Sequence, residues 1–188
     1  MAYVIQDETL RLELWCHLIQ AQGLRQKNLL RPKHGKPYKR IDMSTDLVIS
    51  KSIDINSTPS SVWNVLTSPK MITQYFTGAI TATNWKVGRE IIFTHTYEGK
   101  EFKNKGIILN FDPYHLLRYT YWTAFSNTED KPENYTTITY TLTEINNKTK
   151  LSLTQTNFKN IDWYKGLEIG WDAVLEKIKE LAIENNYN

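Results

Sequence analysis

The last stretch of the chain, from Asn160 to about Asn185, constrains what the rest can fold into. Tyr164, Leu167, Trp171, Val174, Leu175, Ile178 and Leu181 recur at steps of three and four, so they share one face of a single long amphipathic helix. Lys165, Glu168, Asp172, Glu176, Lys177, Lys179 and Glu180 take the opposite side. Asn160 or Asp162 can cap the first free N–H groups, and Glu184 to Asn188 is a polar end. A face this apolar needs a cover. What precedes it reads mostly as strand, so the simplest architecture is a curved sheet that grips the helix.

The chain before the helix divides by composition. Residues 1–43 carry eight Lys and Arg against four acids, hold four of the six Arg and contain a single Asn. Residues 44–188 carry fifteen basic residues against sixteen acidic ones, interspersed, which argues against a nucleic-acid groove in that body. The expected division is an N-terminal extension over 1–43 and one domain over 44–188, long enough to build a full core. In the extension, Leu10, Leu14, Trp15, Leu18 and Ile19 make a helical face that Gly23 would close, followed by a basic, Pro- and Gly-broken stretch from Arg25 to Arg40. A solvated linker is the plainer reading of that stretch, and a tail for anionic partners is the second. Met43 supplies a third, in which residues 1–42 lie upstream of the native start. No run of eighteen apolar residues exists and no basic-then-apolar leader opens the chain, so a cytoplasmic location without a membrane span is the expectation. The lone Cys16 leaves no internal disulfide and no cysteine-based zinc site.

Within the domain, Leu47 to Ile55 alternates as a half-buried strand. Thr58-Pro59 opens a short helix that turns Val62, Trp63 and Leu66 inward, and Ser68-Pro69 opens another carrying Met71, Ile72, Tyr75 and Phe76. From Gly78 onward strand follows strand. Arg89 to Tyr97 places Ile91, Phe93, His95 and Tyr97 on one face; Glu98-Gly99-Lys100 turns; and Phe102 to Phe111 aligns Ile107, Leu109 and Phe111. Leu116 to Thr123 alternates Leu117, Tyr119 and Tyr121 against polar neighbours, and a charged loop over Ser126 to Asn134 follows. Tyr135 to Thr143 buries Ile138, Tyr140 and Leu142, Asn146-Asn147 turns the chain, and Lys150 to Thr156 returns with Leu151, Leu153 and Gln155 inward. Connections this short imply an antiparallel meander, hence an α+β fold.

Five pieces in this order resemble one family. VWNVLTSPKMITQYFTG (Val62 to Gly78), WKVGREIIF (Trp85 to Phe93), GIILNFDPYHLLRYTYW (Gly106 to Trp122), NKTKLSLTQTNF (Asn147 to Phe158) and Gly170-Trp171 are similar to the activator-of-Hsp90-ATPase-like domains. Those belong to the START-like, or SRPBCC, helix-grip superfamily. The resemblance covers roughly residues 46 to 182. It implies a curved antiparallel sheet of six or seven strands around a long C-terminal helix, two short helices after the first strand, and an apolar cavity between sheet and helix. Departures fall at Val87-Gly88, where the family often has a glycine pair, at Tyr75, where Trp is common, and at Gln155, where His is common. A fold of this kind hosts many functions, so it implies no reaction.

The residues that could carry function are amphipathic and aromatic. His95, Tyr97, Tyr119, Tyr121, Tyr140 and Gln155 fall on the same strand faces as the aliphatic core. A buried hydroxyl or imidazole left unpaired costs roughly 1–3 kcal/mol, so six of them either pair with one another or line a cavity. With Phe93, Leu167 and Trp171 they form the expected ligand cavity under the N-terminal half of the long helix. His95 is the best single candidate for an acid/base or hydrogen-bonding role. His17, His34, His95 and His115 show no ligand spacing on one element, so no metal site is expected; no cofactor motif and no catalytic pair stand out either. The first functional reading is a binding protein for a small apolar or aromatic molecule, monomeric or weakly dimeric. A chaperone partner, implied by the family's name-giving members, is the second, and a cyclase or hydrolase using the same cavity is the third.

Overall fold

The computed structural model describes residues 47–97 and 99–185 of the chain, with the side chain of Tyr97 excepted. The expected helix near Leu10, the basic stretch and the start at Met43 lie outside those residues. Strand β1 spans Ile49–Ile55, and helices α1 (Pro59–Thr67) and α2 (Pro69–Tyr75) follow it. Strands β2 (Ile80–Ala82), β3 (Glu90–Tyr97), β4 (Lys100–Asp112), β5 (Leu116–Tyr121), β6 (Thr136–Ile145) and β7 (Lys148–Thr156) come next, and helix α3 (Ile161–Glu184) closes the fold. The seven strands form one antiparallel sheet in the order β1-β7-β6-β5-β4-β3-β2. The fold is α+β, with a long C-terminal helix and two short helices after the first strand, as the sequence leads one to expect.

Local chemistry accounts for the elements. Thr58 caps α1 by accepting the Ser61 N–H, with Pro59 at the first helical position, where a missing N–H costs nothing. Asn160 caps α3 by accepting from the N–H groups of Asp162 and Trp163 at 2.9 and 3.2 Å. Asn146 and Asn147 both take positive φ, so β6 and β7 meet through a two-residue turn that leaves Ile145 opposite Lys148.

One face was misread in the sequence. Of the expected inward set Ile107, Leu109 and Phe111, only Phe111 holds, because a bulge shifts the register. Ile108 pairs with Tyr119, then Asn110 with Arg118, so Leu109 is an extra residue and Phe111 returns to the inner side. Before the bulge, Asn104, Gly106 and Ile108 are the buried positions, and Ile107 and Leu109 are half-exposed. Gly106 is required there. A Cβ at that position would lie 1.6 Å from the Thr120 carbonyl oxygen, while the next N–H, of Ile107, turns to the Thr120 hydroxyl at 2.9 Å. The missing side chain lets β5 press against β4 and the sheet bend.

The core runs the length of α3. Leu167, Trp171, Val174, Leu175, Ile178 and Leu181 are all buried against Ile49, Ile55, Val62, Leu66, Ile72 and the inner faces of the strands. Tyr164 is only half-buried, with its ring edge-on to Phe158 and its hydroxyl donating to Glu168. At the far end, the Ser57 hydroxyl donates to Ala182 O and the Thr149 hydroxyl donates to Ser57 O, which ties β1, β7 and the last turns of α3 together without a buried orphan.

Candidate functional site

The inner faces of β3 to β7 and the N-terminal half of α3 bring Phe93, Tyr119, Tyr121, Tyr140, Gln155, Leu167 and Trp171 into one buried layer. Alternation in each strand puts them there: Tyr119 and Tyr121 two apart on β5, Tyr140 opposite Leu117, and Gln155 opposite Ile138. His95 is half-buried at the β2 side of the same face. The backbone of Tyr97 continues that strand to its pairing with Lys100.

Most of the polar groups satisfy one another. The Trp171 indole N–H donates to Gln155 Oε1 at 2.7 Å, Gln155 Nε2 donates to the Thr136 hydroxyl at 2.9 Å, and that hydroxyl donates to Tyr121 O at 3.0 Å. Asn104 Nδ2 donates to the Tyr121 hydroxyl at 2.8 Å. The Tyr140 hydroxyl donates to that of Tyr119; burial pushes both phenols above the ordinary tyrosine range, and Tyr75 with them. All three are therefore neutral hydrogen-bonding groups at physiological pH. Tyr75 reaches only the Leu66 carbonyl, at a long 3.5 Å.

His95 behaves differently. Its Nδ1 meets the Thr77 hydroxyl at 3.3 Å, while Nε2 is buried without a partner. Burial lowers its pKa below the usual imidazole value, only partly opposed by a hydrogen bond with the Thr77 backbone, so the ring is held neutral. The side chains around it are aromatic and closely set. Phe76 lies edge-on to Phe93, His95 and Tyr121 at centroid separations of 5.1, 5.4 and 6.1 Å, and Phe93 meets Tyr119 and Tyr121 at 6.0 and 6.1 Å.

Sequence reasoning missed Phe76, Thr81, Asn104 and Thr136 as members of this layer. Phe76 was assigned to the second short helix, but its ring reaches across to β3. Asn104 was recoverable: counting back from the turn at Gly99 puts it opposite Phe93, on the inner side. Thr81, opposite Phe93 on the other flank, belongs to a strand of three residues, too short to show a period.

A separate groove of about 420 Å³ opens where the start of α1, the β4–β5 turn and β6 meet, lined by Thr58, Pro59, Ser60, Tyr114, His115, Leu142 and Glu144. None of the expected site residues borders it. It is a wide surface depression whose lining residues are mostly exposed, and it lies apart from the buried layer. Among the described residues, no three His, Cys, Asp or Glu gather as a metal-binding set, and no helix is long and apolar enough to cross a membrane.

Comparison with known proteins agrees with this architecture. Residues 56–182 match the profile of the family described as activator of Hsp90 ATPase homolog 1-like protein. The solution structure of a protein from Cytophaga hutchinsonii is 31% identical, with a TM-score of 0.65, over 77% of this chain and 99% of that one. A crystal structure from Mesorhizobium loti is 23% identical (TM-score 0.59; 71% of this chain, 95% of that one), and it shares the fold. So does the solution structure of the Aha1 dimer from Colwellia psychrerythraea, at 18% identity (TM-score 0.57; 71% and 93%). No curated protein matches the chain.

Proposed function

The chain belongs to the activator of Hsp90 ATPase homolog 1-like family, and from that premise we propose that its domain is a cytoplasmic binding module for a small apolar or aromatic molecule, held between α3 and the inner face of the sheet. The observation that carries this reading is how α3 is supported. Its closest backbone approaches are to β1, α1 and α2. Toward β3 to β6 the volume beneath its N-terminal half is filled by side chains, most of them aromatic rings meeting edge to face, with hydrogen-bonding groups set among them. An apolar wall with a few convergent polar atoms is the usual chemistry of small-molecule sites. Rings in such a layer can change rotamer around a guest without breaking a strand ladder.

Catalysis is less well supported. Among the described residues, the His95 ring hydrogen-bonds to Thr77 and to no carboxylate, and the neighbouring phenols are held neutral by burial. No carboxylate among the described residues completes an acid/base pair through a hydrogen bond to it.

Native mass spectrometry of protein purified from its source cell tests the reading. An adduct that organic solvent releases is the expected result. A bare polypeptide mass, together with no thermal shift across a panel of apolar compounds, overturns it. The family description favours a second reading, an interaction protein that acts on a chaperone. Stimulation of a chaperone ATPase at saturating protein would support it, and an unchanged rate would remove it.

A further inference from the structure

On the inner side of the sheet, two polar atoms among the described residues are buried with no partner: His95 Nε2 and Thr81 Oγ1. They are neighbours. Thr81 pairs with Phe93 across β2 and β3, and His95 is two residues further along β3 on the same face, the diagonal relation that sets Cα atoms about 7–8 Å apart. A third such atom, Trp122 Nε1, is on the other side of the sheet, where the ring stacks on Tyr135 under Lys105. The inner pair is thus a local concentration of unmet hydrogen-bonding capacity in a layer that otherwise meets its own.

The ring that lies against His95 is that of Phe76. Phe76 is half-buried at the C-terminal end of α2, outside the regular helix, and it covers Phe93 and His95. It is followed by Thr77 at φ +48° and Gly78 at φ +72°. A β-branched residue in the left-handed region is strained, and the Thr77 hydroxyl is tied to His95 Nδ1. A rotation of that turn would lift Phe76 from Phe93 and His95, the strand face that Thr81 flanks.

The charge of the surroundings fixes the guest's chemistry. Every fully buried polar residue among the described ones is uncharged: Ser, Thr, Asn or Gln. The lysines that make ion pairs do so with acids at the surface. A carboxylate placed beside His95 would meet no buried Lys or Arg among the described residues and would be expensive to desolvate. A neutral imidazole offers a donor or an acceptor at Nε2 according to its tautomer, and a threonine hydroxyl offers either, so a hydroxyl or amide suits both. Resting on the ligand-binding reading above, we propose that His95 Nε2 and Thr81 Oγ1 together hold the polar head of an uncharged aromatic ligand whose ring takes the place of the Phe76 ring.

Three fluorescent probes of one skeleton test this on the full chain at pH 7.5: naphthalene, 2-naphthol and 2-naphthoate. They are titrated against the wild type, Phe76→Ala, Phe76→Leu as the milder variant, and each of these combined with Thr81→Val, with circular dichroism confirming the fold. The expected result is at least tenfold tighter 2-naphthol binding when Phe76 is shortened. Thr81→Val should lose about tenfold of that and leave naphthalene unchanged, and 2-naphthoate should bind at least tenfold more weakly than 2-naphthol. Equal binding of naphthalene and 2-naphthol, indifferent to Thr81→Val, overturns the head-group assignment and leaves the binding module standing. Binding of 2-naphthoate as tight as 2-naphthol overturns the uncharged class. Folded variants that bind none of the three overturn the ligand-binding reading itself.

Discussion

The two halves of α3 belong to one helix and one apolar stripe, yet they sit in different surroundings. From Val174 to Ala182 the stripe meets aliphatic side chains, α1 and β1, and the polar atoms at that end are closed by two short hydrogen bonds through Ser57. From Trp163 to Trp171 it meets rings, an amide and hydroxyls. The difference teaches that burial alone does not identify a core. Leu167 and Leu175 are equally buried at 3% exposure, but Leu167 belongs to the half of the helix that meets rings and polar groups and Leu175 to the half beside α1 and β1.

The largest expected effect comes from the aliphatic half. Leu175→Ala should destabilise by about 2–5 kcal/mol in chemical denaturation, because rigid neighbours cannot collapse into the space. Trp171→Phe comes next, at about 1–3 kcal/mol, since it keeps most of the ring and strands Gln155 Oε1 without its donor. Restoring much of that loss with Gln155→Leu in the same chain would show that the stranded amide, not lost packing, is the cause. Leu167→Ala should cost less, at or below roughly 2 kcal/mol, the lower end for such truncations, and should change ligand uptake more than stability. Equal destabilisation at Leu167 and Leu175 would erase the distinction between the halves.

The smallest effect is in the pH dependence. Burial lowers the pKa of His95 in the folded state, so below about pH 6.5 the unfolded chain takes up the proton first. The stability tied to neutral His95 is complete above that pH and declines as the pH falls toward the lowered folded value. A His95→Gln variant should therefore lose less stability than the wild type between pH 7 and 5 in parallel denaturant titrations. Identical pH profiles would mean that the ring is as wet folded as unfolded.

The fold was legible because its signals are long. A stripe repeated over 24 residues and strands of six to ten residues leave a period that few alternatives satisfy. The inward, buried faces of Tyr119, Tyr121, Tyr140 and Gln155 are legible for the same reason. What escaped was whatever broke or shortened a period: the extra residue at Leu109, the three-residue β2 and a phenylalanine just past a helix end. An inward Asn104 or Thr136 also looks like a solvent position when apolar and polar residues are the only categories. The pairing of polar groups inside the layer was beyond reach, since it depends on distances of tenths of an ångström that no spacing encodes.

The order of strands also has a consequence in time. β1 is made early, but its partner is β7, and the bond that seals their end joins Ser57 to Thr149, 92 residues away. At the usual pace of synthesis, about 5–20 residues per second, the first strand waits roughly 5–18 s for its mate. Closing so long a loop is slow for entropic reasons as well. β2 to β5 can pair as they emerge, so until β6, β7 and α3 follow, the newborn domain holds a partial sheet with its aromatic inner face uncovered.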